Sequence, residues 1–426
     1  MTEPNQRRRV AIACQGGGSH TAFTAGVLSR CFESDVLADY EIVGLSGSSG
    51  AAVCALVAWS TLVRDLHENA STLLERFWSA TSTSLPVERA LNTMMLWGSR
   101  VAEQFGAANL SPYDSFLSAW STEHLRSMVR SVIDFEGLSE LATKPNAPLL
   151  LLGAVDMVSG RSTTFNSRSG EVNADAVLEA AAIPNLVRSP AQVSAYMDAH
   201  VAQNPPVRGL LEAQPDEIWV IQINPTSIDY EPSSVAEITS RRSELTSNLA
   251  LLQEIGSIEI FDELIARGEL KPERVRPVTI RLLEMDRPPG SMRWSHNSRL
   301  NRDPRFIREL IAMGKVQAED FIAATQFERA WQARDSEGML DHVALGCTVS
   351  VDLPGWQQKH TKDPVVVERF FTVDLPGKVT INLTRKRTYR HAVTWEVRTP
   401  GADAFGRGTA EVTVRDGLIT DFKLRY

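Results

Sequence analysis

The chain has 426 residues, and its 44 Lys and Arg against 52 Asp and Glu give a formal charge of −8. That balance argues against a surface built for duplex nucleic acid, and 43% hydrophobic with 23% charged residues excludes wholesale disorder. At roughly 100–200 residues per domain the length predicts two or three domains, and no stretch approaches the roughly 18 consecutive apolar residues that span a bilayer.

The N-terminus carries Arg7-Arg8-Arg9, but the apolar segment Val10 to Cys14 is too short for a signal-peptide core and runs into Gly16-Gly17-Gly18. A cytoplasmic location is therefore expected. Arg9 to Cys14 reads as a buried strand, and a helix follows from about His20 to Phe32 with Phe23, Val27, Leu28 and Phe32 on one side. Glu41 to Ser46 is a second strand and Ala51 to Leu66 a nearly all-apolar helix, with further strands at Leu149 to Val155 and Glu217 to Ile223. Strands separated by helices predict an α/β fold, a mostly parallel sheet with helices on both faces. Helices are expected over about 235–264 and 304–333, with a strand at 275–283 between them. Beyond about residue 330 alternating runs take over: Cys347 to Leu353, Val365 to Leu375, Lys378 to Val397, and Thr409 to Tyr426 with a turn at Asp416-Gly417. These read as strands of a separate module. Cys14, Cys31, Cys54 and Cys347 show no CxxC spacing, which predicts buried, reduced thiols rather than a disulfide framework or a zinc site.

Two glycine-rich turns carry candidate chemistry. Cys14-Gln15-Gly16-Gly17-Gly18-Ser19-His20 joins a strand to a helix, where backbone N–H groups favour a phosphate or a developing oxyanion. Thr21 stands where a dinucleotide fingerprint needs its third glycine, and no GK[ST] ending completes a P-loop. An oxyanion hole and a simple tight turn both remain. Gly44-Leu45-Ser46-Gly47-Ser48-Ser49-Gly50-Ala51-Ala52 is the second strand-to-helix turn, placed as a nucleophilic serine requires. The G-x-S-x-G pattern fits imperfectly in two registers: centred on Ser49 it ends in Ala51, and centred on Ser48 it begins with Ser46.

Together these turns resemble the patatin-like phospholipase family, in particular its bacterial branch, whose members open with a GGGSHTAFTAGVL-like turn and an SGTSGGA-like elbow. Residues 16–28 and 46–56 carry the likeness, and Tyr196 to Pro206 is similar to the family's YWDGxxxxNPP segment. Ala180 to Pro184, Gly153 to Asp156 and Asp216 to Pro225 fit as well, so that the resemblance covers about residues 8–325. It implies a lipid acyl hydrolase with a Ser-Asp dyad of Ser49 and Asp198, an oxyanion hole from Gly16, Gly17, Gly18 and Gly50, and neither cofactor nor metal. It also implies a lipid or acyl-ester substrate and peripheral membrane contact. His200 then has no catalytic part, and His20 either caps the glycine loop or lies at the surface. Ala51 and Ala199 stand where the family has glycine, and methyl groups there would strain the dyad, which leaves a catalytically impaired lipid-binding or regulatory protein as the alternative. Leu91 to Trp97 is a candidate lid or membrane-contacting surface, with a core-packed helix as its plain reading.

The C-terminal module resembles the NTF2-like, SnoaL-like group, through Phe327 to His342 as an opening helix-turn-helix and Val412 to Ile419 as a last hairpin. The expected division is 1–325 for the acyl hydrolase domain and 326–426 for a curved antiparallel α+β module that binds a small apolar ligand or forms a homodimer. His342, His360 and His391 are too scattered to make a metal site.

Overall fold

The computed structural model describes residues 7–83, 116–156, 159, 161–181, 196–198, 204–228, 230–270, 276–286, 296–353, 356–381, 386–389, 392–398 and 407–425. Leu91 to Trp97, Ala182 to Pro184, Ala199, His200 and His391 lie outside the described residues. Contacts divide the chain into two compact units, residues 1–278 with 287–315 and residues 279–286 with 316–426.

In the first unit, β1 (Arg8–Cys14), β2 (Tyr40–Ser48), β3 (Leu149–Asp156), β4 (Ser162–Asn166), β5 (Tyr196–Asp198) and β6 (Glu217–Gln222) form one sheet in the order β4-β3-β2-β1-β6, with β5 also on β3. β1 pairs in parallel with β2 and β6, and β2 with β3; β4 and β5 join β3 antiparallel. Val10 to Cys14 are fully buried, as a strand covered on both faces requires. The helix Gly50–Val63 packs on β1, β2 and β3, and the helix Ala174–Ala180 on β3. β2 and β6 flank β1 on opposite sides, so the chain reverses its direction of travel at β1. In open α/β sheets such a reversal opens a crevice at the carboxyl ends of the strands. The long helix Val235–Ala266 starts in a capping box, in which Ser234 and Glu237 satisfy each other's backbone N–H groups. Among the described residues no helix is long and apolar enough to cross a membrane.

The second unit pairs β7 (Thr279–Glu284), β8 (Val343–Leu353), β9 (Trp356–Thr361), β10 (Thr380–Ile381), β11 (Lys386–Tyr389), β12 (Ala392–Arg398), β13 (Arg407–Arg415) and β14 (Leu418–Arg425). The pairs β11-β12, β12-β13, β13-β14 and β8-β9 are antiparallel, as the alternating pattern predicts, whereas β7-β11 and β8-β14 are parallel. Val365 to Leu375, expected as a strand, is helical from Pro364 onward. Asp363 accepts the N–H groups of Val365 and Val366, Pro364 occupies the first turn, and Val367, Phe370, Phe371 and Leu375 are the buried positions, a helical spacing that the run of valines hides. The interior is filled by Phe327, Trp331, Phe370, Phe371, Trp395 and Phe422 in mostly edge-on contacts, such as Phe327 to Phe371 at 5.7 Å. One ion pair lies inside this aromatic core. Arg281 Nη1 stands 2.6 Å from Glu328 Oε2, which also accepts Trp395 Nε1–H at 2.6 Å, and the two charged side chains are 4% and 0% exposed.

Removing one partner of such a pair strands a buried charge, which costs about 3–5 kcal/mol, while replacing both by apolar residues of similar volume is far milder. Glu328→Leu is therefore expected to lower the urea midpoint of this unit strongly, and Arg281→Met with Glu328→Leu to recover most of the loss, as followed by tryptophan fluorescence. A second expectation concerns Asp262, which accepts the Val278 N–H at 3.3 and 3.4 Å. Burial, opposed by that bond and reinforced by Glu259, pushes its carboxyl from 3.8 up to about 6. A carboxyl raised in the folded state favours folding when protonated, so its contribution is present below about pH 4 and is lost as the pH rises through 6. Asp262→Asn should melt higher than wild type at pH 7.5, with the gap closing by pH 4; a gap independent of pH would contradict the assignment.

Candidate active site

β2 ends at Ser48 and the next helix begins at Gly50, leaving Ser49 alone to reverse the chain at φ 56, ψ −138. A non-glycine residue there stores about 1–3 kcal/mol and persists only where its surroundings impose it. They do so here through backbone bonds: Ser49 N–H donates to Ala180 O at 2.9 Å, and Ser49 O accepts the Ala52 N–H at 2.9 Å. Close packing completes the turn, since a Cβ on Gly47 would stand 2.6 Å from Ala51 O and one on Gly50 would strike Thr21 Oγ1. Ala51, expected to be strained, is an ordinary buried helical residue, so the strain belongs to Ser49 itself. Ser48 is still a strand residue paired with Gly153, and its Oγ lies 2.9 Å from where a Gly153 Cβ would be. Its hydroxyl packs on the sheet, while Ser49 occupies the apex.

The glycine loop follows the end of β1 and lies against this turn. A Cβ on Gly16 would be 2.7 Å from Ser48 O and 2.9 Å from Ser49 Cβ, so the loop passes directly beside the apex. Gly18 has φ 59, and a Cβ there would collide with the Arg299 carbonyl oxygen. Thr21 Oγ1 donates to Gly18 O at 2.7 Å, which joins the loop to the helix Ala22–Cys31 behind it. Gly16 does not fit the oxyanion role expected of it, because its N–H donates to Asn204 Oδ1 at 2.7 Å. Among the described residues the N–H groups of Gly17, Gly18 and Gly50 make no hydrogen bond, and the last is the first amide of a 14-residue helix, without an intrahelical partner.

Buried carboxamides, which the sequence analysis did not single out, hold the strand ends together. Gln15 Oε1 accepts the N–H groups of Ile223 and Asn224, each at 2.9 Å, and its Nε2 donates to Asn248 Oδ1 at 3.1 Å. Asn248 Nδ2 donates to Pro225 O at 3.1 Å, and Arg299 Nη2 donates to Asn224 Oδ1 at 2.5 Å. For Gln15 and Asn224 the signal available in the sequence was their place just beyond the strands β1 and β6; Asn248, within the helix Val235–Ala266, carried none. His20 is fully buried rather than at the surface, its Nε2 2.7 Å from Ser298 Oγ. The neighbouring thiols are neutral and do not compete with a serine: burial pushes Cys31 and Cys54 up to about 12 and moves Cys14 the same way. Cys54 Sγ–H donates to Thr21 O at 3.6 Å.

Asp198 ends β5, where its register partner on β3 is Ala154. Ser48 is registered with Gly153, one residue earlier on the same strand. The backbones of Asp198 and of the Ser49 turn are thus brought to adjacent positions along β3. Among the described residues no group of three His, Cys, Asp or Glu side chains could hold a metal ion.

No curated protein matches the chain. Solved structures similar to its C-terminal region include an NTF2-like protein of unknown function from Mesorhizobium loti, 16% identical over 25% of this chain and 89% of that one, with a TM-score of 0.22. Another is an NTF2-like protein of unknown function from Cytophaga hutchinsonii, 10% identical over 25% of this chain and 87% of that one, with a TM-score of 0.20. Residues 12–211 match the family described as patatin-like phospholipase. Over that span, which includes the glycine loop and the Ser49 turn, the chain carries a patatin-like phospholipase domain.

Proposed function

We propose that this domain is a serine acyl hydrolase acting on lipid or other acyl esters, with Ser49 as nucleophile, Asp198 as its base and the N–H groups of Gly17, Gly18 and Gly50 as the oxyanion hole. The observation that carries the reading is the left-handed backbone of Ser49 at the mouth of a loop whose next two amides have no acceptor among the described residues. Such donors, set in place before charge develops, stabilise an oxyanion without reorganising, and each is worth roughly 10²–10³ in rate.

In the first half-reaction Asp198 takes the Ser49 proton, Oγ attacks the acyl carbonyl and the carbonyl electrons move onto oxygen, where the three amides meet them. Collapse of that adduct breaks the ester bond, and the departing alkoxide recovers the proton from Asp198. Water, deprotonated in turn by Asp198, then attacks the acyl-serine; the acyl–Oγ bond breaks, Asp198 returns the proton to Ser49 Oγ, and the carboxylic acid is released. A carboxylate is a weak base in water, so the step requires a site dry enough to raise its proton affinity; Ser49 at 2% exposure is consistent with that demand. The reading also puts the protein in the cytoplasm, drawing substrate from a lipid surface by peripheral contact. Because Ala51 is unstrained, the impaired, purely lipid-binding alternative keeps only Ala199 in its favour.

A fluorophosphonate probe and a short-chain ester test the assignment together. Wild type and Ser48→Ala are expected to label and to hydrolyse, and Ser49→Ala to do neither, each variant being checked for folding by circular dichroism. Activity that survives in Ser49→Ala and vanishes in Ser48→Ala would move the nucleophile by one residue.

A further inference from the structure

We propose that Asn204 is a positioning residue that sets the register of the glycine loop against Ser49 and couples the loop to the segment carrying Asp198; this rests on the acyl-hydrolase reading above. Asn204 is fully buried and lies six residues after Asp198 in the chain. Its Oδ1 accepts the Gly16 N–H at 2.7 Å, and its Nδ2 reaches Gly16 O at 3.4 Å, so one carboxamide addresses both polar groups of the residue just before Gly17.

Gly16 is also closely packed. Ser48 O, Ser49 Cβ and Asn204 Oδ1 all crowd the one position that a Gly16 Cβ would take, at 2.7, 2.9 and 3.1 Å. The carboxamide and the Ser49 turn thus meet at Gly16, and together they set the loop's path past the nucleophile. Pro206, two residues after Asn204, packs at the neighbouring pair of Ser48 and Gly153, because a Cβ on Gly153 would meet Pro206 Cγ at 3.0 Å and Ser48 Oγ at 2.9 Å. Glu254, on the helix Val235–Ala266, then accepts the N–H groups of Val207 and Arg208 at 2.6 and 2.9 Å. Residues 204–208 therefore touch the glycine loop, the β2–β3 register and the long helix within five positions. Asn204 binds the residue immediately before Gly17 and Gly18. Its effect on the reaction would pass through them, since a displacement of about 1 Å in a preorganised site lowers the rate on the order of a hundredfold.

The full-length protein is titrated with a fluorophosphonate to count competent serines, and hydrolysis of p-nitrophenyl butyrate is then measured per titrated serine. Asn204→Ala is expected to lower kcat about tenfold to a hundredfold with KM within about twofold of wild type, as follows when stabilisation is lost only in the transition state. A merely structural residue would reduce the number of titratable serines and leave kcat for each unchanged, and that result overturns the proposal, as does a loss confined to KM. If Asn204→Ala is recovered unfolded, Asn204→Ser is measured by the same criteria. An inert wild type overturns the acyl-hydrolase reading and this inference with it, whereas an active wild type with an unaffected Asn204 variant overturns this inference alone.

Discussion

A single backbone conformation organises the first unit. With β2 ending at Ser48 and a 14-residue helix starting at Gly50, the chain must reverse within one residue, and Ser49 does so at φ 56. An L-residue stays there only when its alternatives are blocked. The tolerances around it are correspondingly small. Gly16, Gly47 and Gly50 approach the turn so closely that a methyl on any of them would meet a neighbouring atom within 3 Å. Strain at the apex and the demand for small neighbours are thus two views of one constraint. The glycine loop lies beside the serine because nothing larger than a bare backbone can pass.

Most of the side chains that secure this arrangement are uncharged carboxamides, with Arg299 beside them. Gln15, Asn204 and Asn248 supply donors and acceptors to the irregular backbone beyond β1 and β6, and Asn224 Oδ1 accepts from the Arg299 side chain. A buried polar group left without a partner costs about 1–3 kcal/mol, and a carboxamide can satisfy a donor and an acceptor at once without introducing a charge. The second unit adopts the opposite solution. Its core holds Arg281 against Glu328 among aromatic rings, where the pair's geometry and the added bond from Trp395 compensate for desolvation.

The misreadings of the sequence share one cause, namely that local pattern does not report neighbours distant in the chain. A run of three valines at 365–367 reads as strand, yet Asp363, Pro364 and the burial of every third or fourth residue make it helix. His20, flanked by Ser and Thr, reads as surface or cap, yet it is fully buried beside Ser298, 278 residues away. Gly16 reads as one donor among four, yet its amide is taken by a side chain 188 residues later. Ala51 departs from the family pattern, but it falls inside the helix and not at its strained entry.

By itself the sequence determined the strand-to-helix turns, the alternation of strands and helices that yields a mostly parallel sheet, and the likeness to patatin-like phospholipases, because glycine clusters and hydrophobic period act over a few residues. The resemblance already pointed to Ser49 over Ser48 as the expected nucleophile. That Ser49 carries the strained backbone, that the Gly16 amide is bound by a side chain, and that Asn204, Gln15 and Arg299 lie around the loop required the tertiary structure. Those contacts join residues 75 to 233 positions apart, and such a pairing exists only once the strands have taken their places in the sheet.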